Sequence, residues 1–224
     1  MTNLSKQYNN FSESFSHYVS STDDVIRKPF YQSLSFDFKG KKLLDMACGD
    51  GQDISEYEKR GAQCFGVDAS ENLIAEAKRN RPNIDFKVGD MRTLPYQDNS
   101  FDVVLSKYAL GTVEDIGAVF SEASRVLKSG GMFAYLTTHP MRLFMEQPGD
   151  VKKDYFTQKD VDMVLFGGAF TITEPSHTFN EFLSPKYFNH FDMVYFSEHH
   201  DPQSADLPGR DIYPDFFIVV GKKK

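Results

Sequence analysis

The sequence predicts an α/β protein: a doubly wound, mostly parallel sheet with helices on both faces. Three observations carry this. From Lys41 to roughly Leu136, short apolar runs alternate with stretches of helical period, the mark of β-α-β units. The chain has 224 residues, of which 40% are hydrophobic, enough for one large core. No internal repeat or low-complexity tract interrupts the pattern.

The elements follow in order. Residues 1–40 read as an N-terminal helical lid, with helices over Asn9–Val19 and Asp23–Leu34 joined by Ser20-Ser21-Thr22. Strands are expected at Leu43–Met46, Cys64–Val67, Ile84–Val88, Phe101–Leu105 and Met132–Thr137, with helices at Gln52–Arg60, Ser70–Asn80 and Asp115–Leu127. Ser70 has the short hydroxyl of an N-cap. Lys128-Ser129-Gly130-Gly131 supplies a cation and then glycines, as a helix C-terminus wants. Residues 139–190, broken by Pro140, Pro148, Pro175 and Pro185, read as a cap with a hairpin around Val164–Thr173 and a helix near Asn180–Phe188. Met193–Phe196 and Phe216–Val220 within 191–224 close the chain as an antiparallel hairpin on the sheet edge. All of this belongs to a single domain over 1–224, with its central layer at 41–138.

Composition excludes several classes. A net charge of −7 speaks against an extended nucleic-acid surface. Met1 to Lys6 lacks the apolar core of a signal peptide, and no run reaches membrane-spanning length, so a cytoplasmic protein without a membrane partner is expected. Cys48 and Cys64 are too few for a disulfide framework or a metal site. His199-His200 beside Asp201 reads as solvated loop, since adjacent side chains rarely converge on one ion.

The chemistry starts at the first turn. Leu43-Leu44-Asp45-Met46-Ala47-Cys48-Gly49-Asp50-Gly51 runs an apolar strand into a carboxylate and a turn of small residues. Small residues let a ligand approach the backbone. A dinucleotide loop would hold pyrophosphate on a helix N-terminus. Here Gln52 stands where a third glycine should, and Asp45 and Asp50 suit an ammonium better than a pyrophosphate. The turn therefore points to a cationic, adenosine-containing ligand.

Later strand ends point the same way. Asp68 closes the second strand about twenty positions after Ala47, where an acid can accept ribose hydroxyls. Gly89-Asp90-Met91 ends the third strand, with Asp90 a candidate acceptor for an exocyclic adenine amine. The fourth ends Ser106-Lys107-Tyr108. One elongated site explains this recurrence better than a set of helix caps.

These residues resemble the class I S-adenosylmethionine-dependent methyltransferase family, in order from Lys41 to Leu136. Asp45 to Gly51 looks like the family's D-x-G-x-G-x-G. Val67-Asp68 matches its ribose acid, Gly89-Asp90-Met91 its adenine contact, and Phe101 to Ser106 its fourth strand. Val126-Leu127-Lys128-Ser129-Gly130-Gly131 matches the helix end before strand five. The resemblance implies a Rossmann-like, seven-stranded sheet with an antiparallel last strand, and S-adenosylmethionine as cofactor. It implies cofactor contacts from Asp45, Ala47, Cys48, Gly49, Gly51, Asp68, Ala69, Asp90, Met91, Ser106 and Lys107, with Leu73 or Met91 sandwiching the adenine. The first motif glycine is Ala47 here.

Outside the core, Tyr8, Phe11, Phe15, Tyr18 and Phe30 form an aromatic cluster, read as helix packing or as a lid bringing Tyr8 or Tyr18 to the sulfonium end. His139, at the end of the fifth strand, is the candidate base or acceptor-orienting group, or else a histidine hydrogen-bonded within the fold. Phe144, Tyr155, Phe156, Phe166 and Phe170 are candidates for an apolar acceptor pocket or a cap core. The reading that follows is methyl transfer to a small-molecule acceptor by a monomer or homodimer. A non-catalytic S-adenosylmethionine-binding module, a methyltransferase for a protein acceptor, and a nicotinamide-dependent oxidoreductase stay open.

Overall fold

The computed structural model describes residues 3–10, 12, 24–147, 152–165, 169–200 and 213–224. Five parallel strands form its centre: β1 (Lys42–Met46), β2 (Gln63–Asp68), β3 (Asp85–Val88), β4 (Phe101–Lys107) and β5 (Leu127–Thr138). Helices α3 (Ile54–Lys59), α4 (Glu71–Asn80) and α5 (Ile116–Val126) connect them, and β8 (Phe191–His199) and β9 (Phe216–Lys223) complete seven strands in the order β3-β2-β1-β4-β5-β9-β8. The last strand, β9, runs antiparallel to both β5 and β8. It therefore lies inside the sheet, with β8 as the edge.

The apolar runs fill two cores at once. Leu44, Val104, Phe133 and Phe217 pack on one face of the sheet, and their neighbours Leu43, Val103, Ala134 and Ile218 on the other. Side chains alternate across a strand, so a strand covered on both faces reads as a continuous apolar run.

Boundaries differ from expectation in instructive places. Ser70 does cap α4, its Oγ accepting from the amide of Leu73 at 3.2 Å. The glycines after α5 do not cap it. That helix ends at Val126, Leu127 is already extended, and Gly130 (φ +71°) turns within the irregular start of β5. Lys128 pairs instead with Asp102 at 3.0 Å. The expected cap hairpin is β6 (Asp160–Leu165) against β7 (Phe170–Pro175). The expected helix after it splits into α7 (Phe179–Phe182) and α8 (Pro185–Phe188), because Ser184 and Pro185 restart the chain. The first helix begins early, at Asn3–Asn10 (α1), and the second spans Asp24–Ser33 (α2). Much of the predicted Asn9–Val19 helix, with Phe11, Phe15 and Tyr18, lies outside the described residues.

Candidate functional site

All five parallel strands end on one edge of the sheet, and the predicted residues gather there. Ala47, Gly49 and Gly51 all take positive φ, at 67°, 56° and 76°. Only glycine does so without steric cost, so Ala47 carries strain of about 1 kcal/mol. The turn is drawn tight. The carbonyl of Val67 accepts from the amides of Ala47 (2.7 Å) and Cys48 (3.0 Å), and Cys48 accepts from Gly51. Gly51 must be small for a second reason, since a Cβ there would come within 2.9 Å of the Phe86 ring. At Gly49 the same position meets no atom within 4 Å.

Asp68 joins the turn to α4. Its two carboxylate oxygens accept from the amides of Gly49 (2.9 Å) and Ser70 (2.8 Å). Burial pushes its pKa up while those amides pull it down, leaving it raised. Each oxygen keeps a lone pair for a further donor. Ala69 is half-buried beside it, and Leu73 is buried beneath it.

Asp45 is buried, and no described residue donates a hydrogen bond to its carboxyl. Burial raises its pKa to about 8, with Asp53 and Asp68 adding and Lys107 opposing. Ser106 Oγ, also buried, has no hydrogen-bond partner among the described residues. These are the features a cationic, hydroxylated ligand would satisfy. The Cys48 thiol, pushed far up by burial and the acids around it, stays protonated and is no nucleophile.

Three placements were not legible in the sequence. Lys107 Nζ pairs with the carboxylate of Asp53, which also accepts from Tyr31 Oη and faces Arg27 Nε at 3.4 Å. Burial disfavours the Asp53 carboxylate, but Lys107 and then Arg27 outweigh it, and the pKa is lowered. Asp90 is held by Arg92 through Nη2 (2.6 Å) and Nε (3.0 Å), so Arg92 shares the carboxylate that an adenine amine would use. Met91 is half-buried next to it. Third, α1 bridges the site. Asn9 Oδ1 accepts from Ser70 Oγ at 2.6 Å, Gln7 bonds Thr173 of β7, and the Tyr8 phenol feels both Glu174 and Asp68. A lone polar side chain in an amphipathic helix gives no hint of such distant partners.

His139 is placed as a structural residue, not as a base. Its Nδ1 accepts from the Met141 amide (3.0 Å) as N-cap of α6 (Pro140–Met145), and its Nε2 meets Glu198 Oε1 at 2.9 Å. Its ring stacks on Phe179. Both nitrogens are taken, and burial lowers the pKa against the pull of Glu198. Of the predicted cap aromatics, Phe144 packs on Tyr155, whose Oη accepts from the Phe179 amide, Phe156 is 86% exposed, and Phe166 lies outside the described residues. A cleft beyond β4 and β5 is lined by Tyr108, Thr137, Leu143, Glu174, His177 and Phe182 among others. Among the described residues, no three His, Cys, Asp or Glu side chains converge as a metal site, and no helix is long and apolar enough to cross a membrane.

Residues 44–135 match a family model described as a methyltransferase domain. A demethylmenaquinone methyltransferase of Corynebacterium efficiens is 41% identical over 92 residues, covering 41% of this chain and 39% of that protein. Its counterpart in Corynebacterium glutamicum is 38% identical over 136 residues, 59% of this chain and 56% of that protein. The chain thus spans about half or less of the length of these curated relatives. The crystal structure of an S-adenosylmethionine-dependent methyltransferase from Mesorhizobium loti superposes with a TM-score of 0.71 at 22% identity, covering 88% of this chain and 98% of that one. Over residues 44–135 the chain resembles a methyltransferase domain, and its strand order with the antiparallel last strand is the fold of the superposed methyltransferase.

Proposed function

We propose that this protein transfers a methyl group from S-adenosylmethionine to a compact small-molecule acceptor by direct in-line displacement. One observation carries the reading: the strand edge holds two adjoining compartments, the turn with its unpartnered Asp45 and Ser106, and the cleft past Tyr108. A bound sulfonium would supply an already activated methyl. The chain's task is then to bind, align and exclude water.

The roles follow from placement. Asp45 faces the ligand's ammonium, and an ion pair would relieve its buried, unpartnered state. Asp68 accepts the ribose hydroxyls on its remaining lone pairs, and the small residues at 47, 49 and 51 admit the backbone contact. Ala69, half-buried beside Asp68, and the Cys48 backbone complete that wall. Asp90 shares its carboxylate between Arg92 and the adenine amine, and Met91 covers the ring, with Leu73 too deeply buried to do more than support it. Ser106 offers the hydroxyl nearest the methionine end. Lys107 acts through Asp53, and His139 positions the start of α6 at the cleft.

Charge and relatives support a small acceptor. The chain is acidic, and two relatives similar in sequence are named demethylmenaquinone methyltransferases. Two free cysteines support a cytoplasmic location. Calorimetric titration with S-adenosylmethionine and S-adenosylhomocysteine tests the cofactor, with NADH as control. We expect micromolar binding of the sulfur ligands that Asp68→Ala abolishes. A folded protein that ignores both sulfur ligands, or takes NADH instead, overturns the reading.

A further inference from the structure

We propose that the cleft is the acceptor subsite and that Glu174 receives the proton of an ionisable hydroxyl, phenolic or enolic, on the acceptor. This rests on the methyl-transfer reading above. It begins with an anomaly in β7. Thr171 and Thr173 point away from the body of the protein, whereas Ile172 and Glu174, two apart, point in and are 2% and 5% exposed. Ile172 packs with Leu143, Val161 and Met163. Glu174, on the same face, lines the cleft instead. No described residue donates a hydrogen bond to its carboxyl. An unpartnered buried carboxyl costs a few kcal/mol and persists where something binds it.

The groups around it leave it available. Arg142 of α6 attracts Glu174 but is engaged by Glu146 at 3.2 Å and by Asp215 at 3.8 Å. Tyr8 faces it from α1, with its phenol pushed up first by burial and then by Glu174 itself. His177, across the cleft, has its Nδ1 against Gln158 (3.3 Å) and Glu181 (3.7 Å), and burial lowers its pKa. Tyr108 is the remaining titratable neighbour in the lining. Burial raises Glu174 to about 8, where a base exchanges protons efficiently near neutral pH.

Cleft lining chooses the acceptor. Tyr108, Leu143 and Phe182 give the cleft aromatic and apolar walls, and Thr137 and Glu174 give it polar ones. An amine attacks with its own lone pair before any proton leaves. A hydroxyl needs a base to expose its nucleophile, and a carboxylate at this position provides one. In the step, the O–H bond breaks and its proton goes to a Glu174 oxygen. The freed pair on the acceptor oxygen forms the new bond to the methyl carbon of the sulfonium donor. The sulfur–carbon bond breaks with its pair remaining on sulfur, so charge balances.

The test uses the full chain saturated with S-adenosylhomocysteine, and 4-nitrophenol as the probe. Calorimetry in buffers of different ionisation enthalpy counts protons taken up on binding, at a pH above the Glu174 midpoint. We expect binding of the nitrophenolate with proton uptake in the native protein. In Glu174→Gln we expect no uptake, because the amide donates to the phenolate without taking a proton; in Glu174→Leu, which keeps no donor, we expect affinity about tenfold lower as well. The infrared difference between native protein and Glu174→Gln should contain a protonated carboxyl band that titrates at about 8, separate from the Asp45 band that both proteins share. Unchanged S-adenosylhomocysteine binding shows that each variant is folded. No probe binding alongside intact S-adenosylhomocysteine binding, or equal affinity and uptake in native protein and variants, overturns the proposal alone. Loss of S-adenosylhomocysteine binding by the native protein overturns the methyl-transfer reading as well.

Discussion

Gln7 hydrogen-bonds both backbone groups of Thr173, its Oε1 accepting from the amide at 2.9 Å and its Nε2 donating to the carbonyl at 3.2 Å. One side-chain amide thus stands in for a neighbouring strand along β7. One residue on, the Tyr8 phenol feels both Glu174 and Asp68, and Asn9 holds Ser70 and Asn72. α1 therefore ties the cap to the rim of the cofactor turn.

Gln7→Ala should release that tie. Two net hydrogen bonds are worth about 1 to 2 kcal/mol. Hydrogen exchange should speed up at the Thr173 amide and through α1, leaving β1 and β4 protected. Unchanged exchange at Thr173 would show that the amide clamp contributes nothing.

Ala47→Gly should relieve the strain of φ +67°. The left-handed backbone costs an alanine about 1 to 2 kcal/mol, and glycine's larger unfolded-state entropy returns about 0.4 to 1. A net gain of roughly 0.5 kcal/mol in chemical denaturation is expected, with S-adenosylhomocysteine affinity equal or higher. A loss of stability would mean that the alanine methyl packs better than its φ costs.

Asp45 gives a pH signature. Its folded pKa of about 8 stands above the ordinary 3.8, so between these values the native state holds a proton that the unfolded state lacks. Stability therefore falls as pH rises through that window. Ligand affinity moves the other way, because an ammonium prefers the ionised carboxylate: binding should strengthen as pH rises toward about 8. Asp45→Asn should flatten both slopes.

Lys107→Met should cost about 3 kcal/mol, because the Asp53 carboxylate would keep only Arg27 and Tyr31 in a site where both paired side chains are nearly buried. Lys107→Met with Asp53→Asn should cost less than the single change. Additive losses in denaturant unfolding would deny the coupling.

Gly66→Ala should disturb the turn from behind. A Cβ there would sit 2.5 Å from the Phe86 ring and 2.8 Å from Cys48 Sγ. Overpacking of this kind costs about 1 to 3 kcal/mol. Phe86→Leu in the same chain should recover part of it, as thermal melts can show.

The sequence by itself determined the layered core and the small-residue turn at the strand edge. Leu43-Leu44, Val103 to Leu105 and Phe133 to Leu136 are apolar without a break because both faces of each strand are covered, a local property visible in one dimension. The small-residue turn was legible for the same reason: backbone at positive φ near a ligand restricts residue type at each position separately. Ser70 as a cap needed only its own helix. Tertiary structure decided what depends on partners distant in sequence. His139 stood at the right strand end, yet Met141 and Glu198 consume both its nitrogens. Lys107 stood beside the cofactor edge and was claimed by Asp53, and Asp90 was claimed by Arg92. Glu174 was one acid among many until β7 turned it inward beside Ile172. A side chain's chemistry is set by what donates to it and by how much water reaches it, and both are fixed only when the cap and α1 close over the sheet.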